Sequence, residues 1–230
     1  MHVFISDAHI RNDKSYRCQM LLRFLNEIRP HLTDLYILGD LFEFWFEYSL
    51  VFPKDYFTPL AALYNLIQEG KDVHYILGNH EVTIGRFLKN FGFAVHHGPE
   101  IFLIDGRRVL LEHGNKVDRR LWTSMWENLL TSKLNHALYR LLHPDIGILL
   151  AQGIAHLSRK QHQSARLVRM LEHYALQQLH DVDTVMLAHS HNPVLKKYPE
   201  NKYYVNVGDW VTHFSYAVID SGRISLNYYQ

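Results

Sequence analysis

Val73-His74-Tyr75-Ile76-Leu77-Gly78-Asn79-His80-Glu81 is an apolar run that stops abruptly at a polar cluster. A short run rich in Val, Ile, Leu and Tyr reads as a buried strand, and the cluster then sits at its carboxyl end. The same form recurs along the chain. Val3–Ser6 precedes Asp7-Ala8-His9, and Leu35–Leu38 precedes Gly39-Asp40. Val109–Leu111 precedes Glu112-His113-Gly114-Asn115, Thr184–Leu187 precedes Ala188-His189-Ser190-His191, and Tyr203–Val207 precedes Gly208-Asp209-Trp210.

Two helical patterns separate the first three runs. Tyr16–Arg29 places Met20, Leu21, Phe24, Leu25 and Ile28 on one face, and Tyr56–Glu69 does the same with Leu60, Leu63, Tyr64 and Ile67. Strand, helix, strand at this spacing predicts right-handed crossovers and a largely parallel sheet. The polar clusters then gather at the carboxyl edge, where α/β proteins place their sites. Near the C-terminus, Ser215–Ile219 and Ile224–Tyr228 flank Asp220-Ser221-Gly222, a hairpin signal.

The chain of 230 residues is read as one α/β domain with a helical cap insertion over about 116–181. Within that stretch Trp122, Met125, Trp126, Leu129 and Leu130 stand at helical spacing, and Lys116–Arg169 holds nine basic against three acidic residues. Formal net charge is +1, so nothing global points to nucleic acid. A single cysteine, Cys18, excludes an internal disulfide framework and suits a reducing compartment. No signal-peptide pattern opens the sequence, and no apolar stretch approaches the ~18–20 residues of a membrane span. A cytoplasmic location is expected, with peripheral contact at the inner membrane surface left open.

Carboxylate, imidazole and amide oxygen donors without thiolate suit Mn²⁺, Fe²⁺ or Zn²⁺ at sites with open positions. Two such cations about 3.5–4 Å apart can share a hydroxide that is strongly nucleophilic near neutral pH. Singly, each cluster has an ordinary explanation as a strand end or turn. Together, Asp7, His9, Asp40, Asn79, His113, His189 and His191 read as ligands of a metal centre. His189 and His191 alternate along an extended segment, which turns both rings the same way.

This order of motifs resembles the calcineurin-like metallophosphoesterase superfamily: Asp-x-His, Gly-Asp-x-x-Glu, Gly-Asn-His-Glu, a lone His, then x-His-x-His with Ala188 at the usual glycine. The resemblance implies a four-layer α/β/β/α sandwich. It also implies two divalent metals, Mn first with Fe or Zn as alternatives. Asp7, His9, Asp40 and His191 would hold one; Asp40, Asn79, His113 and His189 would hold the other, with Asp40 bridging. His80 would stabilise phosphoryl charge or protonate the leaving group, with Glu81 orienting its ring, so His80 and Asp40 are the catalytic pair.

Gly39-Asp40-Leu41-Phe42-Glu43-Phe44-Trp45 is similar to a segment of the UDP-2,3-diacylglucosamine pyrophosphohydrolases of lipid A synthesis, which also carry a helical insertion after the lone His. That likeness implies a nucleotide-linked lipid substrate, cleaved to UMP and 2,3-diacylglucosamine 1-phosphate. Asn79, His80, Arg119, Arg120, Trp122, Arg159 and Lys160 are the substrate-contact candidates. Two positions depart from those enzymes: His80 stands where they have Arg, and Asn115 where they have Asp. The same pattern accommodates a phosphoesterase for soluble nucleotides, or a scaffold that kept the fold without catalysis; a scaffold would be expected to have lost ligands, and all seven are present.

Overall fold

The computed structural model describes residues 1–48, 51–83, 86–117, 142–144, 146–147 and 164–230. Strand β1 (His2–Ile5) leads through helix α1 (Tyr16–Ile28) to β2 (Asp34–Leu38). Two short strands, β3 (Trp45–Phe46) and β5 (Glu81–Thr83), pair beside the main sheet. Helix α2 (Phe57–Gln68) leads to β4 (Asp72–Ile76), and α3 (Phe87–Asn90) to β6 (Ala94–His96). Then come β7 (Glu100–Ile104), β8 (Arg107–Leu111), α4 (Ala165–Gln178), β9 (Thr184–Leu187), β10 (Val194–Tyr198), β11 (Lys202–Asn206), β12 (Ser215–Asp220) and β13 (Arg223–Tyr228).

These strands form two mixed sheets, as the sandwich implied by the resemblance requires, and the parallel run read from the strand–helix–strand spacing is β1-β2-β4-β6 of the first. The first runs β13-β12-β1-β2-β4-β6 and the second β10-β11-β9-β8-β7. In the first, β1, β2, β4 and β6 are parallel and β12 and β13 are antiparallel. In the second, β8, β9 and β11 are parallel between antiparallel β7 and β10. The sequence patterns of the parallel strands are visible because both faces are buried; β7 and β10 have largely exposed residues, β7 although four of its five are apolar.

Strand periodicity sorts the side chains into layers. Val3, Ile5, Leu35, Ile37, Val73 and Tyr75 pack outward against Met20, Leu21, Phe24, Leu25 and Leu63 of α1 and α2. Their neighbours Phe4, Tyr36, Leu38 and Ile76 face inward against Val109, Leu111, Met186 and Val205 of the second sheet. On its far side Leu110, Val185, Leu187 and Tyr204 meet Leu167, Leu171 and Ala175 of α4. Helix, sheet, sheet, helix is the α/β/β/α order.

Ser15 and Ser164 cap α1 and α4, accepting from the Cys18 and Leu167 amides; each cap contributes roughly 1 kcal/mol. The stretch assigned to the insertion therefore includes α4, which lies on the second sheet as the crossover from β8 to β9. Residues 118–141 and 148–163, with Arg119, Arg120, Trp122, Arg159 and Lys160, lie outside the described residues. No described helix is long and apolar enough to cross a membrane. The hairpin signal holds: Asp220 pairs with Arg223 around Ser221 and Gly222, both at positive φ.

Candidate metal centre

The loops after β1, β2, β4, β8 and β9 converge on one seam between the sheets. The segments after β1 and β2 continue side by side, with Asp7, His9 and Ile10 amides donating to the carbonyls of Gly39, Asp40 and Leu41. Glu43 N–H donates back to Ile10, and Trp45 N–H to the His80 carbonyl. Trp45 and Phe42 are buried in the outer core, so the aromatic half of the Gly39–Trp45 segment anchors the loop rather than lining the seam.

Asp7, His9, Asp40, His189 and His191 all have positive φ, between 44° and 66°. For residues other than glycine this left-handed conformation costs about 1 kcal/mol or more each, and it persists where the surroundings over-determine it. Gly39, at φ 79°, precedes Asp40, and a Cβ there would meet His113 Nδ1 at 2.6 Å. Gly78 has a different reason: a Cβ on it would overlap the Asp40 carboxylate.

Asp7, His9, Asp40 and His113 are essentially inaccessible, and His80, His189 and His191 are buried with them. Three groups of donor atoms converge within 4.8 Å: Asp7, His9 and His191; His9, Asp40 and His80; Asp40, His113 and His189. Asp40 Oδ2 is the common point, 3.4 Å from His113 Nε2, 3.8 Å from His80 Nε2 and 3.9 Å from His9 Nε2. Asp7 Oδ1 lies 3.4 Å from His191 Nε2 and 3.7 Å from His9 Nε2. Asn79 Oδ1 is 3.2 Å from His113 Nε2, as is His189 Nδ1.

The back of each group is engaged, which aims its front. Asp40 Oδ1 accepts from His80 N–H at 2.9 Å, and Asp7 Oδ2 from His189 N–H at 3.1 Å. The other oxygens, Asp7 Oδ1 and Asp40 Oδ2, are buried and accept no hydrogen bond among the described residues. His113 Nδ1 lies 2.7 Å from the Leu38 carbonyl, so Nδ1 carries a proton and Nε2 is the nitrogen turned to the seam. Nε2 stands among Asp40 Oδ2, Asn79 Oδ1 and His189 Nδ1, a convergence of oxygen and imidazole nitrogen atoms of the kind that binds a divalent cation. The seven donors fit a pair of divalent ions on this ground.

The electrostatics agree. Burial works against ionising Asp40, yet His113 and His80 hold its carboxyl well below the usual range. Burial pushes Asp7 up, opposed by His191 and His113. Burial lowers His113, but Asp40 and Asp7 outweigh it and raise the imidazole to about 10.

One positioning role differs from expectation. His80 Nδ1 is 2.5 Å from the Glu43 carbonyl, and it is this group that orients the ring. Glu81 instead accepts from Asp40 N–H, Gly78 N–H and Tyr75 O–H at 3.0, 2.8 and 2.8 Å, clamping the two loops together. Burial and then the charge of Asp40 raise its carboxyl to about 7. Two further residues at the seam carried no role in the sequence reading. Glu43, 1% exposed, places its carboxylate 3.7 Å from Arg11. Asp209 lies 3.5 Å from His191; its place in Gly208-Asp209-Trp210, a cluster of the same form as the others, was the available signal.

A family model described as calcineurin-like phosphoesterase matches residues 3–193. UDP-2,3-diacylglucosamine hydrolase of Porphyromonas gingivalis is 28% identical over 97% of this chain and 95% of its own length. The enzyme of that name from Aeromonas salmonicida is 37% identical over 114 residues, 49% of this chain and 44% of its own. Among solved structures, zinc-complexed Vps29 of Entamoeba histolytica covers 98% of this chain and 89% of its own, at 15% identity and a TM-score of 0.47, too loose a likeness to carry an argument. With the matched span taking in all seven candidate donors in the motif order, this chain belongs to the calcineurin-like phosphoesterase family.

Proposed function

We propose that the chain hydrolyses the diphosphate of UDP-2,3-diacylglucosamine, adding water across the bond at the α-phosphorus and releasing UMP and 2,3-diacylglucosamine 1-phosphate. One observation carries the chemistry: a single buried oxygen, Asp40 Oδ2, within 3.9 Å of three imidazole nitrogens from separate segments. Support for the substrate comes from relatives of that name that align over nearly the whole chain.

Asp7, His9, Asp40 and His191 would hold one ion, and Asp40, Asn79, His113 and His189 the other; manganese is the first choice for this oxygen-and-imidazole set. Two bound divalent ions supply Lewis-acid neutralisation of the diphosphate and a nucleophile at neutral pH. The chain's own contribution is orientation and proton handling. His80 keeps Nδ1–H on the Glu43 carbonyl and turns Nε2 to the Asp40 side of the seam, where it can carry a proton toward a phosphoryl or leaving-group oxygen. Asn79 can aim its amide at the same phosphoryl group. We propose Arg119, Arg120, Arg159 and Lys160 as cations for the diphosphate and Trp122 as an apolar contact for the acyl chains, in a cap inserted after β8. A cytoplasmic position, peripheral to the membrane that holds the substrate, fits this reading.

The test is turnover of purified, manganese-loaded protein with UDP-2,3-diacylglucosamine, read as UMP release. UMP with stoichiometric diacylglucosamine 1-phosphate is the expected result. Turnover of soluble aryl phosphodiesters with none of the lipid nucleotide would replace this substrate. No turnover of either with both ions bound would leave a metal-binding scaffold.

A further inference from the structure

Asp209 is not among the seven donors, yet it is fully buried beside them. Its Oδ1 accepts three successive backbone amides, from Val211, Thr212 and His213, at 2.8, 2.5 and 3.1 Å. Its Oδ2 faces two imidazoles, 2.9 Å from His213 Nδ1 and 3.5 Å from His191 Nδ1. The backbone is held as firmly. Asp209 N–H donates to Ser215 Oγ at 3.1 Å, Ser215 N–H returns to the Asp209 carbonyl at 3.0 Å, and Trp210 N–H donates to the Asp7 carbonyl at 3.2 Å.

Three amides demand an acceptor at Oδ1, so the carboxylate cannot turn over, and Oδ2 is the oxygen left for the imidazoles. An N–H at His191 Nδ1 matches that oxygen, and a neutral ring protonated there has its lone pair at Nε2. Nε2 is the atom 3.4 Å from Asp7 Oδ1. We infer that Asp209 is a positioning residue of the metal centre: it holds His191 in the Nδ1–H tautomer and so presents the Nε2 lone pair beside Asp7. This rests on the proposed assignment of His191 as a ligand. A carboxylate behind a ligating imidazole both fixes its orientation and raises its basicity.

The substitution that isolates this role is Asp209→Asn. The three amides keep the amide oxygen at the Oδ1 position, which puts the NH2 group toward His191. A donor now faces Nδ1, the ring is driven to the Nε2–H tautomer, and the lone pair leaves the seam. Calorimetric titration of zinc into the metal-free full chain should find two sites in the wild type. In Asp209→Asn one site should weaken by about 10–100-fold, the range for lost partners of ligating histidines, with the circular dichroism of the metal-free protein unchanged. His213→Ala, which removes the other imidazole on Oδ2, should keep wild-type affinity at both sites.

Wild-type affinity at both sites in Asp209→Asn would overturn the inference. If His191→Ala also bound two zinc ions as tightly as wild type, the ligand assignment itself would fall, which is a separate result. Should Asp209→Asn not fold, the wild type decides: ¹⁵N NMR of the zinc-loaded protein should show His191 protonated at Nδ1. An unprotonated Nδ1 overturns the role.

Discussion

The two sheet edges that meet at the candidate metal centre bring different chemistry and are braced in opposite ways. The first sheet delivers the oxygen donors Asp7, Asp40 and Asn79, with His9 and His80; the second delivers only imidazoles, His113, His189 and His191. A carboxylate has two oxygens, so it needs a donor on one to aim the other, and Asp40 and Asp7 receive backbone N–H groups. An imidazole has one lone pair, so it needs an acceptor behind it, and His113 and His191 have the Leu38 carbonyl and Asp209. The bracing also crosses the seam: His189 of the second sheet holds Asp7 of the first, and Leu38 of the first holds His113 of the second. The centre is therefore a polar seam between two layers otherwise joined by apolar packing, and its integrity and the approach of the sheets are one property.

The severest break in this comparison is Asp40→Ala, which removes the oxygen common to three imidazoles. Activity should fall by more than the ~10–100-fold of a lost partner behind a ligand, and metal analysis should find fewer than two ions per chain. Retention of both ions would sink the bridging assignment. His80→Ala comes next. It leaves the metal donors in place, so two ions should stay bound while turnover drops roughly 10²–10³-fold. The loss should shrink for substrates with good leaving groups; an equal loss across leaving groups would make His80 a charge stabiliser instead of an acid.

Gly39→Ala attacks the brace and not a donor. At φ 79° with His113 Nδ1 in the path of a Cβ, the new methyl strains the backbone by about 1–2 kcal/mol and pushes His113 off the Leu38 carbonyl. The protein should lose more than that in urea unfolding, because a Cβ there also meets the Gly78 backbone at 2.7 Å. The control is Gly106→Ala, also at φ 77° but with open space around its Cβ; it isolates the backbone part of the cost.

Much of the site was legible because both sheets use the same device, a buried parallel strand followed by a short polar cluster, and the seven candidate donors named from those clusters lie together at one seam. The layers were less so. Helix α4 falls at the end of the stretch read as an insertion and was taken as part of it, although its Leu167, Leu171 and Ala175 stripe belongs to the second sheet. Strands β7 and β10 lie at edges, where Leu103 and Lys196 face solvent and no alternation with a second buried face exists to mark them. The partners behind the ligands were hidden for another reason. Glu43 and Leu38 act through backbone carbonyls, which every residue has, so only the three-dimensional path of the chain reveals them.

Outside the seam, carboxylates lose this leverage, and Glu172 on α4 measures how much. Its Oε1 accepts from Lys196 Nζ at 2.5 Å and from Tyr198 O–H at 3.0 Å, tying α4 to β10 on the outer face. Its hydrogen bond from Lys196 holds the carboxyl below the usual range. A carboxyl lowered on folding adds stability above its unfolded pKa, and that stability is lost as pH falls through the folded value. The pair is partly exposed, with Lys196 at 44%, so solvent and salt screen it to about 0–1 kcal/mol. Glu172→Gln should therefore cost under about 1 kcal/mol at pH 7, nothing at a pH well below the ordinary carboxylate range, and leave zinc binding untouched. A loss of several kcal/mol, or any change in metal affinity, would mean that the outer layer is coupled to the seam, through α4 and the His113 loop on which Gly114 packs against Leu171.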